Sequence, residues 1–173
     1  MLSTMTWIDC GPEYLEAIRA IFNDAIANTT ALYENTPRSR ETMWGWLENK
    51  RAGGWPVIGM VDDDGTLAGF GTYGPFRPLQ GFRHTVEHSL YLARPYQGRG
   101  LGRGMLEKLV EHARGRGFHT MIAMIDGENA ASVRLHEALG FQHCGRLGEA
   151  GFKFGRWLDV VIMELRLGGV GER

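Results

Sequence analysis

Gln97-Gly98-Arg99-Gly100-Leu101-Gly102 constrains this chain more than any other stretch, because it joins an apolar, strand-like run at residues 89–92 to a helix-like run at residues 101–113. A chain that leaves a strand through three glycines and enters a helix builds an anion site as it folds. The first N–H groups of a helix have no intrahelical partner, the helix dipole puts partial positive charge there, and glycine lets the backbone close on a phosphate with no Cβ in the way. The turn therefore points to a pyrophosphate-bearing ligand. It is not a dinucleotide fingerprint, since G-x-G-x-x-G would need a third glycine where the chain has Arg103, Met105 or Glu107. A P-loop fails too, because no lysine precedes a serine or threonine near the turn.

Gln97, Gly100 and Gly102 do fit Gln/Arg-x-x-Gly-x-Gly/Ala, and so resemble the coenzyme A pyrophosphate loop of the GNAT acetyltransferase superfamily. A second block, Asn129 and Ser132 followed by His136, Gly140 and Phe141, resembles that superfamily's Asn-x-x-Ser to Gly-Phe segment at the right distance. Three longer segments, at residues 85–92, 132–140 and 151–160, are similar to the phosphinothricin acetyltransferase family, which includes methionine sulfoximine and methionine sulfone acetyltransferases. The resemblance runs from about Trp7 to Leu167. It implies acetyl-CoA as cosubstrate, a small amino-acid analogue as acceptor, and a homodimer.

Composition sets the outer bounds. A chain of 173 residues with 43% hydrophobic and 23% charged residues reads as one globular domain, here residues 1–167, followed by a fraying glycine-rich tail at 168–173. A net charge of −1 with no Lys/Arg cluster interleaved with aromatics gives no basis for nucleic-acid or membrane binding. No apolar run is long enough to span a bilayer and residues 1–10 do not read as a signal peptide, so a cytoplasmic location is expected. Cys10 and Cys144 are far apart, with no Cys-x-x-Cys pattern and no ligand-spaced histidines. Neither a metal nor a disulfide is expected, and both read as buried thiols.

Along the chain, residues 6–9, 56–61, 67–73, 85–92, 120–125, 141–146 and 157–167 read as strands, the second and third joined by a hairpin turn at 62–65. A helix opens at Gly11-Pro12 and carries Leu15, Ile18, Phe22, Ala25 and Ile26 on one stripe; a second spans residues 40–51, after a threonine-rich loop at 28–37. Leu101, Met105, Leu109 and Ala113 mark a third helix, and residues 132–139 a fourth, closed by Gly140. Strand, helix, strand, helix after residue 85 is a parallel crossover. The whole predicts an α/β fold: a mixed, mostly antiparallel central sheet, splayed where acetyl-CoA would bind, with helices on both faces, as the GNAT resemblance implies.

Acetyl transfer to an amine needs a proton acceptor for the ammonium, a stabilised oxyanion and a proton for the departing thiolate. Glu87, inside an apolar strand just before the glycine turn, is the candidate base, acting directly or through water; the competing reading is a core carboxylate paired with an arginine. His136 stands where many GNAT enzymes carry a tyrosine thought to protonate the thiolate, and is either that acid or a structural hydrogen-bonder. His88 faces the other side of its strand from Glu87 unless a bulge intervenes.

The backbone of Leu90, Tyr91 and Leu92, freed by the splay, would pair with the pantetheine arm and offer an oxyanion N–H. The segment Gly98, Arg99, Gly100, Leu101, Gly102 and Arg103, with Gln97, would hold the pyrophosphate. Asn129 and Ser132 would contact the coenzyme, although Asn129 is equally a helix N-cap.

Arg77 or Arg83 would clamp an acceptor carboxylate, with Phe76, Pro78, His88 and Ser89 completing that side. Lys153 and Phe154 resemble part of the family's substrate-side hairpin, with Lys153 expected at the surface. The reading is a cytoplasmic acetyl-CoA-dependent N-acetyltransferase for the α-amino group of a small amino-acid analogue, with detoxification as its purpose. Its rivals are a protein N-terminal or polyamine acetyltransferase and a noncatalytic acyl-CoA sensor. Two arginines and no carboxylate at residues 74–83 disfavour a polyamine.

Overall fold

The structure, a computed structural model, describes residues 4–168. Seven strands, β1 (Thr6–Asp9), β2 (Val57–Val61), β3 (Leu67–Pro75), β4 (Thr85–Leu92), β5 (Thr120–Asp126), β6 (Gln142–Lys153) and β7 (Arg156–Arg166), form one sheet. Its order is β1-β2-β3-β4-β5-β7-β6. Every neighbouring pair is antiparallel except β4 and β5. Helices α1 (Leu15–Asn28), α2 (Arg40–Ala52), α3 (Leu101–Gly115) and α4 (Ala130–Ala138) cover it.

The helices divide by face because the strands alternate. Val86, Met121, Ala123, Ile125, Val161 and Met163 point to one side and bury against Leu106, Leu109 and Ala113 of α3, with Val133 and Leu135 of α4 packed alongside. Val57, Val61 and Phe70 point to the other, against Leu15, Ile18 and Phe22 of α1 and Met43 and Leu47 of α2. The expected stripe of α1 is buried at every position named for it, and Ile21 joins it. A one-turn 3₁₀ segment at Pro12–Tyr14 precedes α1, while the Ser39 hydroxyl accepts from Thr42 N at 3.1 Å to cap α2.

Three expectations need correction. The sixth strand runs to Lys153 instead of ending at residue 146; it lies on the sheet edge, is exposed over most of its length and shifts register twice, so it carries no apolar alternation to read. Cys144 sits at the first of those irregularities and is exposed; Cys10 alone is buried, which pushes its thiol up to about 12. Lys153 is 2% exposed, because the β6–β7 hairpin folds its stem under the α1–α2 loop. Among the described residues no helix is long and apolar enough to cross a membrane, and no cluster of three or more His, Cys, Asp or Glu could hold a metal. The expected C-terminal fraying falls, from residue 169 onward, outside the described residues.

Candidate active site

The parallel ladder of β4 and β5 is short. It pairs Thr85 with Thr120, Val86 with Met121 and Glu87 with Ile122; β4 then stays with β3 as far as Leu92, and β5 with β7 as far as Asp126. The two strands diverge into a wedge whose facing backbone edges have no strand between them. A cavity of about 480 Å³ fills it, lined by Leu90, Tyr91 and Leu92 on one wall and Ala123, Met124 and Ile125 on the other. An extended, amide-bearing arm can pair with such an edge.

One end of the cavity meets the N-terminus of α3. Gly98 and Gly100 both take left-handed backbone, φ +73° and +78°, and a Cβ on either would meet no protein atom within 4 Å. The conformation and the open space above it suit a group lying directly on the backbone. Gln97, Gly98, Gly100, Gly102 and Arg103 line the cavity. The Gln97 amide donates to Leu92 O at 3.0 Å, so this side chain braces the turn against β4. Arg99 instead lies over the Tyr96 ring at 5.5 Å, and Leu101 packs beside Met60, Ala68 and Met105. Arg103 holds Glu107 at 2.9 Å.

At the opposite wall, Asn129 Oδ1 accepts from Ser132 N at 3.1 Å, an N-cap for α4, and both residues also line the cavity. His136 is 4% exposed and His88 8%. Their Nε2 atoms stand 3.0 Å apart, with His88 Nδ1 at 3.1 Å from Ile122 O and His136 Nδ1 at 2.7 Å from Ser132 O. Phe141 lies against both rings, 5.7 and 4.9 Å between centroids.

Glu87 is on the other face, toward α1 and α2. Its carboxylate is 3.7 Å from the Arg77 guanidinium and its side chain is 34% exposed. Burial raises its pKa and Arg77 offsets part of that rise. Phe76 and Phe82 stack edge-on at 5.6 Å, and Arg77 covers Phe76 at 4.2 Å. Arg77 is therefore gathered beside Glu87. Pro78 and Arg83 belong to the same β3–β4 connection, outside the cavity lining. Ser89 lines the cavity. His88, expected with the acceptor group, points away from Glu87, because the β3–β4 register runs without a bulge from Val86 to Leu92 and successive side chains alternate.

Several residues of this region escaped the sequence reading. Asp126, 6% exposed, accepts from Thr30 Oγ1 at 2.5 Å and Tyr33 OH at 2.7 Å, and Lys153 Nζ donates to Thr29 O at 2.7 Å and Leu32 O at 2.6 Å. Together they pin the α1–α2 loop over the end of β5. Burial and the bond to Asp126 raise the Tyr33 pKa. A carboxylate closing the apolar run of β5 was the available signal. Lys50 donates to Tyr73 O at 3.1 Å over Gly74, the register partner of Glu87, and burial pulls it down to about 8. Nothing in its charged helical neighbourhood marked it.

The profile of the acetyltransferase (GNAT) family matches residues 16–141. The chain is 43% identical to the L-methionine sulfoximine/L-methionine sulfone acetyltransferase of Pseudomonas aeruginosa over 92% of each chain. It is 40% identical to an L-amino acid N-acyltransferase of Escherichia coli over 87% of each. Its fold superposes with a TM-score of 0.92 on a GNAT superfamily phosphinothricin acetyltransferase from Sinorhizobium meliloti in complex with AcCoA, at 36% identity, covering 95% of this chain and 89% of that one.

Proposed function

Since the chain belongs to the acetyltransferase (GNAT) family, we propose that it is an N-acetyltransferase moving the acetyl group of acetyl-CoA to the α-amino group of a small amino-acid analogue, of the methionine sulfoximine, methionine sulfone or phosphinothricin type, as a detoxification step. The observation that carries this reading is the wedge between β4 and β5 with the α3 N-terminus at one end: a slot shaped for an extended, amide-bearing pyrophosphate ester. Similarity to enzymes named for those acceptors supports the substrate class.

In this reading residues 1–167 act as one domain. Gly98–Arg103 backbone receives the pyrophosphate, and the β4 edge at residues 90–92 receives the arm and offers an N–H to the developing oxyanion. Glu87 takes the ammonium proton, directly or through water; the amine nitrogen then bonds the thioester carbonyl carbon and gives up its second proton to solvent, the C–S bond breaks, and His136 protonates the sulfur. Arg77, 3.7 Å from Glu87, stands beside that chemistry and is, with Arg83, a candidate carboxylate clamp. The partial burial of Glu87 beside the exposed Arg77 supports its role as base, since desolvation lifts a carboxyl toward the range where it accepts protons usefully.

The exposed, free Cys144 thiol fits a reducing compartment such as the cytoplasm. Exposed Phe152, Phe154 and Trp157 on the β6–β7 hairpin fit a homodimer contact. A thiol-release assay with acetyl-CoA and a panel of amino acids, their analogues, polyamines and peptides tests the reading. Turnover is expected with the three analogues and not with polyamines; a polyamine or peptide as best acceptor would overturn it.

A further inference from the structure

We infer that His88 and His136 hold one proton between their Nε2 atoms, so that the two rings form a single cationic unit in the cavity wall and His88 is a positioning residue for His136. The argument is a count of hydrogens. Three contacts run in a line, Ile122 O to His88 Nδ1, His88 Nε2 to His136 Nε2, and His136 Nδ1 to Ser132 O, at 3.1, 3.0 and 2.7 Å. A carbonyl only accepts, so each Nδ1 carries a hydrogen; the Ser132 hydroxyl also lies near His136 Nδ1, but at 3.5 Å against 2.7 Å for the carbonyl it does not displace that contact. Two neutral imidazoles would then have no hydrogen left, and their Nε2 lone pairs would face each other across the central contact. Satisfying all three contacts needs one hydrogen more than two neutral rings possess, and the pair therefore carries one positive charge.

The surroundings oppose charge on the buried pair, so the three contacts have to hold the first proton against them. Phe141 presents its ring to both imidazoles, a wall that tolerates a cation better than an aliphatic one. Burial first, and then the neighbouring imidazole, push His88 down to about 3, while the Ile122 carbonyl works the other way; His136 is likewise lowered by burial and supported by the Ser132 carbonyl. Burial thus opposes the first proton as well as the second, and what holds the first one on against it is the contact geometry, since its loss leaves opposed lone pairs.

Among the described residues no carboxylate acts on either ring. On β4, Glu87 points to the opposite face. At the end of β5, Asp126 is engaged by Thr30 and Tyr33. On α4, Glu137 pairs with His143 at 2.7 Å and Arg134 is exposed. On α3, His112 Nδ1 meets the Tyr73 hydroxyl at 2.9 Å, and on β7 Glu164 pairs with Arg166 at 3.0 Å. The titration of the pair is therefore its own.

The charge state stands independently of the acetyl-transfer reading; its kinetic consequence rests on it. A cation in the cavity wall stabilises a departing thiolate and supplies its proton. One N–H breaks, one S–H forms with the sulfur electron pair, two neutral rings remain, and solvent returns the proton.

The test is ¹⁵N NMR of histidine-labelled protein without ligand, the two rings assigned through their side-chain carbons. Near neutral pH, three of the four ring nitrogens should be protonated, falling to two in one step that both rings report together. Two protonated nitrogens across the neutral range, or separate titrations, would overturn the inference. His88→Gln supplies an uncharged N–H to His136 Nε2, so His136 should then stay neutral with one protonated nitrogen. The alkaline limb of kcat should move by roughly one pH unit or vanish, while the acetyl-CoA KM holds. An unchanged limb in a folded variant would remove the positioning role. If the variant does not fold, the wild-type titration alone decides. Failure of acetyl transfer with three protonated nitrogens would sink the functional reading and leave the pair standing.

Discussion

Glu87 illustrates how a single side chain acquires chemistry from its position. The sequence offered two readings, base or core carboxylate paired with arginine, and the structure contains elements of both: desolvation raises the pKa, and Arg77 at 3.7 Å lowers it in part. Because the side chain is about one-third exposed, that ion pair is screened and adds little to stability. Glu87→Gln keeps the shape and removes proton acceptance, so kcat should fall by roughly 10²-fold while acetyl-CoA binding persists. The sign of the pH effect follows. A base works only when deprotonated, so the wild-type rate declines as pH drops through a pKa displaced above the ordinary carboxylate value, and the variant should lack that acidic limb. At high pH, where more acceptor amine is already neutral, the gap should narrow. pH–rate profiles of both proteins beside their melting curves check this; near wild-type turnover at neutral pH would take Glu87 out of the mechanism.

At the scale of elements, the glycine turn was fully legible because its signal is local: left-handed φ values and a helix start are written in three glycines. The role of the turn can be separated from its strain. Gly65, in the β2–β3 hairpin, has the same φ of +78° as Gly100, and a Cβ on either meets nothing within 4 Å. Alanine at either position should therefore destabilise the fold by a similar amount, about 1–2 kcal/mol for left-handed backbone. Only Gly100→Ala should also weaken acetyl-CoA, by roughly tenfold or more, equivalent to about 1.4 kcal/mol. Calorimetry on the two variants distinguishes a phosphate cradle from an ordinary turn: equal affinities would end the assignment. The loop at residues 29–39 was legible only as a loop. What fixes it, Asp126 and Lys153, lies roughly a hundred residues away in the chain, and no spacing rule connects a strand-end carboxylate and a hairpin lysine to those backbone groups.

For the molecule as a whole, the β6–β7 hairpin leaves Phe152, Phe154 and Trp157 more than half exposed, with Phe152 and Trp157 stacked at 5.0 Å. Such an exposed aromatic patch suits a twofold assembly. Light scattering should give twice the chain mass for the wild type and the monomer mass for Trp157→Lys with its fold retained; a monomeric wild type would refute the homodimer. Element order, the buried stripes of α1 and α3, the parallel crossover and the left-handed glycine turn into α3 were determined by the sequence itself, because helical and strand periodicities and glycine's backbone freedom act over a few neighbouring residues. The tertiary structure alone decided where β4 and β5 part, that Glu87 and His88 serve opposite faces, that Lys153 is buried and Cys144 is not, and that two histidines 48 residues apart share a contact. These depend on strand order, register and the packing of distant segments, which no local pattern encodes.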